Sequence, residues 1–85
     1  MFDVKFSSQA RKFLKSADDD IWNRITGKIE ELCSNPFPSD SKIVKGRKEK
    51  VFRVRVGDFR VLYVVFNERN LLFISKIEKR SKIYK

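Results

Sequence analysis

Histidine is absent from this 85-residue chain. That gap removes serine–histidine triads, histidine-ligated metal centres and paired-histidine ribonuclease chemistry together. Cysteine occurs once, at Cys33, so no internal disulfide can staple the domain, whereas small secreted domains usually carry several pairs. The three glycines, Gly27, Gly46 and Gly57, are isolated, which argues against a glycine-rich phosphate loop. No apolar run approaches the ~18–20 residues that span a bilayer, and no apolar stretch follows a basic start as in a signal peptide. These absences point to a cytoplasmic chain without a membrane partner. Repeats and low-complexity runs are missing too, and the length suits one domain, residues 1–85. A domain this short buries roughly 60–65% of its unfolded surface, enough for one thin core.

Acidic residues are scarce in one half only. Residues 1–44 hold seven Lys/Arg and seven Asp/Glu and sum to zero. Residues 45–85 hold thirteen Lys/Arg against Glu49, Asp58, Glu68 and Glu78, so the whole net charge of +9 lies there. A one-sided cationic surface attracts polyanions and speeds encounter with them, and RNA phosphate is the expected target. The plainer reading is a solvated face kept soluble by lysine.

Phe2, Val4 and Phe6 alternate with Asp3 and Lys5, the period of a strand with one buried face. Ser7 and Ser8 are good N-caps, and Ala10, Phe13, Leu14 and Ala17 make the stretch from Gln9 to Ala17 an amphipathic helix. Asp18, Asp19 and Asp20 signal a second helix start; read as a metal cluster they fail, because consecutive helical residues point in different directions. Ile21, Trp22, Ile25, Ile29, Leu32 and Cys33 share one stripe, which reads Cys33 as a core residue and Trp22 as core, with a surface contact for a partner as its alternative, and Asn35–Pro36 stops the helix. Residues 34–42 read as a loop. Phe52, Val54 and Val56 then alternate with Arg53 and Arg55, Gly57–Asp58 offers a tight reversal, and the run from Val61 to Phe66 suggests a central strand covered on both faces. Residues 67–70 turn the chain into a last strand, Leu71 to Ile77. The expectation is α+β: a strand, a two-helix hairpin, then a three- to four-stranded antiparallel β-meander.

With histidine, glycine loops and a metal cluster set aside, arginine is left. Arg53 and Arg55 are two apart on a strand and leave the same face. Arg60 lies just across the turn, where a hairpin brings it near them. Such a group repels itself unless an anion or a carboxylate intervenes, and guanidinium forks match phosphate oxygens. The alternative is a solvated outer face of the sheet.

The segment Val51-Phe52-Arg53-Val54-Arg55-Val56-Gly57-Asp58-Phe59-Arg60-Val61-Leu62-Tyr63, with Ile43 and Gly46 upstream and Lys79-Arg80-Ser81-Lys82-Ile83-Tyr84 downstream, resembles the RelE/ParE toxin superfamily of toxin–antitoxin modules. The resemblance covers nearly the whole chain and implies a RelE-like fold. It implies a ribosome-dependent endoribonuclease, an mRNA interferase that cuts mRNA in the ribosomal A site, needs no metal or other cofactor, and is neutralised by a RelB-like antitoxin. By position, Arg53, Arg55, Arg60, Arg80 and Tyr84 match the family's catalytic set. Lys79 stands where many relatives have histidine. Lys45, Arg47, Lys48, Lys50, Lys79 and Lys82 are the expected contacts to RNA and ribosome. No small-molecule ligand is expected.

The implied reaction is attack of the RNA 2′-hydroxyl on its own phosphate, with departure of the 5′-oxygen. Arg60 and Arg80 would stabilise the charged transition state, and Tyr84 would act as acid or stack on a base. The proton acceptor is open, because the family often has lysine at the positions of Arg53 and Arg55, and arginine effectively never deprotonates. Lys48, Lys50, Tyr84 or the ribosome could serve. Two other readings stand beside this one: a ParE-like inhibitor of DNA gyrase, and an RNA- or ribosome-binding protein without chemistry.

Overall fold

Short-range caps divide the first half of the chain. In the computed structural model, which describes residues 1–79, strand β1 (Asp3–Phe6) leads directly into helix α1 (Ser8–Ser16). Ser7 caps that helix, its Oγ accepting from the Ala10 N–H at 3.1 Å. Helix α2 (Asp19–Ser34) opens with Asp18, whose carboxylate accepts from the Ile21 N–H at 2.9 Å, and Asp19 and Asp20 in its first turn complement the helix dipole. Three strands then form the meander: β3 (Val51–Val56), β4 (Phe59–Phe66) and β5 (Leu71–Lys79). A short strand β2 (Lys42–Val44) precedes it, so Lys42 belongs to a strand rather than to the loop expected over residues 34–42.

The five strands make one sheet in the order β1-β5-β4-β3-β2. All neighbours are antiparallel except β1 and β5, which run parallel with Asp3 opposite Leu71 and Phe6 opposite Ile74. The sheet is therefore mixed, not purely antiparallel. The two helices carry the chain across one face to the far edge, and the meander brings it back beside its own start.

That helix-covered face holds the main core. Ala10, Ile25, Ile29, Leu32 and Cys33 meet Val54, Val61, Tyr63, Leu72, Ile74 and Ile77, all buried. Each such large aliphatic side chain contributes about 1.5–3 kcal/mol when fully buried. On the opposite, outer face the buried residues among those described are Val51, Leu62 and Val64, flanked by Val44. Strand β4 thus buries four consecutive residues, Val61 to Val64, and is covered in part on both faces. Trp22 departs from expectation: it is 47% exposed. It shares the stripe of Ile25 and Ile29, but it stands in the first turn of α2, a full turn before the first buried residue of that helix.

Candidate nucleic-acid interface

Regular alternation sorts the side chains of β3. Phe52, Val54 and Val56 pack on the helix side, so Arg53 and Arg55 leave the outer face. The following hairpin has only two turn residues, and Gly57 takes a positive φ of 59°, the conformation glycine allows at the first central position of such a turn. A β-carbon at Gly57 would strike the Arg24 guanidinium, which lies over the turn. This tight turn sets the register: Arg55 stands directly opposite Arg60, and Arg53 lies between Lys42 of β2 and Leu62 of β4.

On its other side Arg60 faces Glu78 of β5. Its Nη2 donates to Glu78 Oε2 at 2.8 Å, and Lys76 Nζ lies 3.5 Å from Glu78 Oε1. The buried Nε of Arg60 has no acceptor among the described residues. Two rows thus cross the outer face: Arg55, Arg60 and Glu78 in one, Lys42, Arg53, Leu62 and Lys76 in the next. Glu78 supplies Arg60 with a structural partner. Arg53 and Arg55 meet no carboxylate within salt-bridge distance among the described residues.

A cavity of about 390 Å³ opens beside them, lined by Asp40, Lys42, Arg53 and Arg55. Asp40 does not cancel this cationic wall, since its carboxylate accepts from Lys28 Nζ at 2.9 Å. That bond holds the Asp40 carboxyl below its ordinary value of 3.8 and lifts Lys28 above 10.5. The patch can therefore grip an anion with fixed positive charges and guanidinium N–H groups.

The other expected contacts lie elsewhere. Lys45, Arg47, Lys48 and Lys50 are exposed in the loop between β2 and β3, at the end of β3 away from the Gly57 turn. At the ~3.3 Å rise of a strand, Lys50 lies roughly 17 Å before Arg55. Lys48 and Lys50 are thus remote from the Arg55–Arg60 row, although they extend the positive surface. Lys79 ends β5, one residue beyond Glu78 and on the other side of the pleat. Arg80, Lys82 and Tyr84 fall outside the described residues.

Lys42, Lys76, Glu78 and Asp40 were not singled out from the sequence. Lys42 and Asp40 sit in a segment read as loop, and Lys76 and Glu78 follow an irregularity in β5. Cys33 is buried in the core, and burial pushes its thiol pKa up, the opposite of an activated nucleophile. Among the described residues, no three His, Cys, Asp or Glu side chains gather as a metal-ligand set, and no helix is long and apolar enough to cross a membrane.

Residues 4–84 match the family model described as the ParE toxin of the type II toxin–antitoxin system, parDE. The chain belongs to the RelE/ParE toxin superfamily. A relative from Methanocaldococcus jannaschii that bears the name toxin RelE1 is 38% identical, over 99% of this chain and 96% of its own length. The RelE of the archaeal RelE–RelB complex from Pyrococcus horikoshii is 27% identical with a TM-score of 0.81, covering 95% of this chain and 97% of the other. The isolated Escherichia coli RelE toxin shares the fold at 19% identity, with a TM-score of 0.81 over 99% of this chain and 92% of its own. Within the RelE/ParE superfamily this protein is a RelE-like toxin of a toxin–antitoxin module.

Proposed function

We propose that this RelE-like toxin is a ribosome-dependent endoribonuclease that cleaves mRNA in the ribosomal A site and so inhibits translation. The observation that carries the reading is the outer-face pair of Arg55 and Arg60, with Arg53 in the adjoining row and the cationic cavity beside it. Glu78 offsets the charge of Arg60, but Arg55 directly opposite has no carboxylate partner among the described residues, and a bound phosphodiester would supply one. The arginines hold the phosphate and stabilise charge as the 2′-oxygen attacks. Arg80 adds to that stabilisation, and Tyr84 protonates the leaving 5′-oxygen. Without metal or cofactor, orientation of the RNA by the ribosome supplies much of the rate, so cleavage of free RNA is poor.

The partner is a RelB-like antitoxin. Relatives crystallise as RelE–RelB complexes, including the one from Pyrococcus horikoshii. An acidic arm that reaches both sides of the sheet suits the molecule, with Trp22 as an exposed apolar contact on the helix side and the arginines of the opposite face as its electrostatic complement. A second reading, inhibition of DNA gyrase, draws support from the ParE description of the family model.

Primer extension on translating ribosomes tests the proposal, with naked mRNA as control. Wild type is expected to cut within A-site codons. Arg60→Ala and Arg80→Ala are expected to lower cleavage ~100-fold or more, the scale of losing one transition-state donor. Tyr84→Phe is expected to slow it as well. Absence of cuts on cognate ribosomes would sink the nuclease reading, and supercoiling by gyrase would be measured next.

A further inference from the structure

The reaction needs a proton acceptor, and the arginines of the outer face cannot supply one, because a guanidinium stays protonated and only donates. Lys48 and Lys50 are remote from the Arg55–Arg60 row. Two carboxylates border the patch. Asp40 is engaged by Lys28 at 2.9 Å and stands beside Lys42, at the β2 edge of the sheet. Glu78 stands in the same cross-strand row as Arg55 and Arg60, so a phosphate held by that pair would lie beside it. One of its oxygens accepts from Arg60. The other is 3.5 Å from Lys76 Nζ, and the side chain remains 25% exposed, open to a ligand from the outer face.

We propose that Glu78 is the general base of the cleavage, taking the proton from the attacking 2′-hydroxyl while Arg60 holds the carboxylate and the phosphate in one row. This rests on the nuclease reading above. As Glu78 Oε accepts the proton, the 2′-oxygen forms its bond to phosphorus. The bond from phosphorus to the 5′-oxygen breaks with its electron pair on that oxygen, which takes a proton from Tyr84, and the phenolate regains one from solvent. The products are a 2′,3′-cyclic phosphate and a 5′-hydroxyl, and Glu78 returns its proton to solvent. Arg60 thus has two tasks, orienting the base through its Nη2 and neutralising charge on the phosphate.

Single-turnover cleavage on programmed ribosomes tests this with Glu78→Gln, Glu78→Asp and wild type. Glutamine still accepts a hydrogen bond from Arg60 but cannot take a proton. Glu78→Gln is expected to lower the saturating rate ~100-fold or more, the scale of general base catalysis, with half-saturation unchanged. Glu78→Asp should retain more of the rate. Wild type should lose rate on the acid side and Glu78→Gln should not. The charged groups facing Glu78 among the described residues are Arg60, Arg55 beyond it, and Lys76 on its own strand. Wild-type rates in Glu78→Gln, or a change in half-saturation alone, would overturn the assignment and leave the nuclease reading standing. If Glu78→Gln does not fold, the acid limb of Glu78→Asp decides: a displaced limb supports the base, an unmoved one overturns it. A wild type that cuts nothing overturns both readings.

Discussion

One buried phenol holds the wall of the candidate site. Tyr63 is fully buried and stacks on Phe52 at 5.9 Å, while Phe37 meets Phe52 edge-on at 5.2 Å. Its hydroxyl donates to the Pro36 carbonyl at 2.7 Å, tying the segment after α2 to the core. The Lys28–Asp40 bond ties the same segment a few residues on, where Asp40 borders the cavity of Arg53 and Arg55. Tyr63→Phe strands the Pro36 carbonyl and is expected to cost about 1–3 kcal/mol, read by urea denaturation. Burial raises the Tyr63 phenol above 10.0, and the bond to Asp40 raises Lys28 above 10.5. Groups whose folded pKa is raised bind protons more tightly when folded. Their contribution is complete below those ordinary values and is lost as pH rises through the folded ones. Asp40 behaves oppositely: its contribution is present above 3.8 and is lost as pH falls through its lowered folded pKa. Denaturation followed from pH 8 to 12 should therefore show an alkaline decline that is shallower in Tyr63→Phe. An equal decline in both would exclude Tyr63 as its source.

The decisive element is β5, because its irregularity turns two charged residues outward. Leu72 and Ile74 face the core, and strict alternation would next bury Lys76 and Glu78. Instead Tyr63 pairs with Ile74 and Leu62 with Lys76, leaving Ser75 as an extra residue whose hydroxyl donates to the Leu62 carbonyl at 3.2 Å. After this bulge Ile77 is the buried residue, and Lys76 and Glu78 join the arginine face. That explains what was legible. Arg53, Arg55 and Arg60 could be placed together from the sequence, since β3 alternates without a break and a two-residue turn sets its register. Lys76 and Glu78 could not, since the bulge reverses the parity on which such counting depends. Trp22 failed for a similar reason, because a helical stripe does not say where the covering sheet stops. The parallel place of β1 depends on where the two helices lead the chain, which local pattern does not contain. The bulged strand also has an unusual support. Where β1 ends, Gln9 takes over its ladder: its amide donates to the Ile77 carbonyl at 2.7 Å and accepts from the Ile77 N–H at 2.9 Å. Gln9→Leu leaves both groups unpaired and is expected to destabilise the fold by about 1–3 kcal/mol. Hydrogen exchange at the Ile77 amide should accelerate more than at Val61 if the clamp is local, and an unchanged Ile77 rate would refute its role.

Across the whole molecule, charge is divided by face as well as by chain half. The outer sheet face gathers Lys42, Arg53, Arg55, Arg60 and Lys76, whereas Arg11, Lys12 and Lys15 line a separate surface on α1. A net charge of +9 would draw polyanions to any cationic surface, so attraction alone does not identify the interface. Salt dependence does, because only cations that contact phosphate release counterions on binding. Binding of a single-stranded RNA oligomer, followed by fluorescence anisotropy over a salt series, should weaken linearly in a log–log plot. Arg53→Gln, which removes a cation from the cavity wall, should reduce the slope by about 0.7–1. Lys12→Gln removes the same formal charge from α1 and should leave the slope unchanged. A slope reduced in Arg53→Gln and unchanged in Lys12→Gln would locate the RNA on the sheet face, and the reverse would locate it on α1. Equal reductions in the two variants would mean that RNA is held by diffuse charge, and the crossed rows of Arg53, Arg55 and Arg60 would then lose their claim as the binding surface.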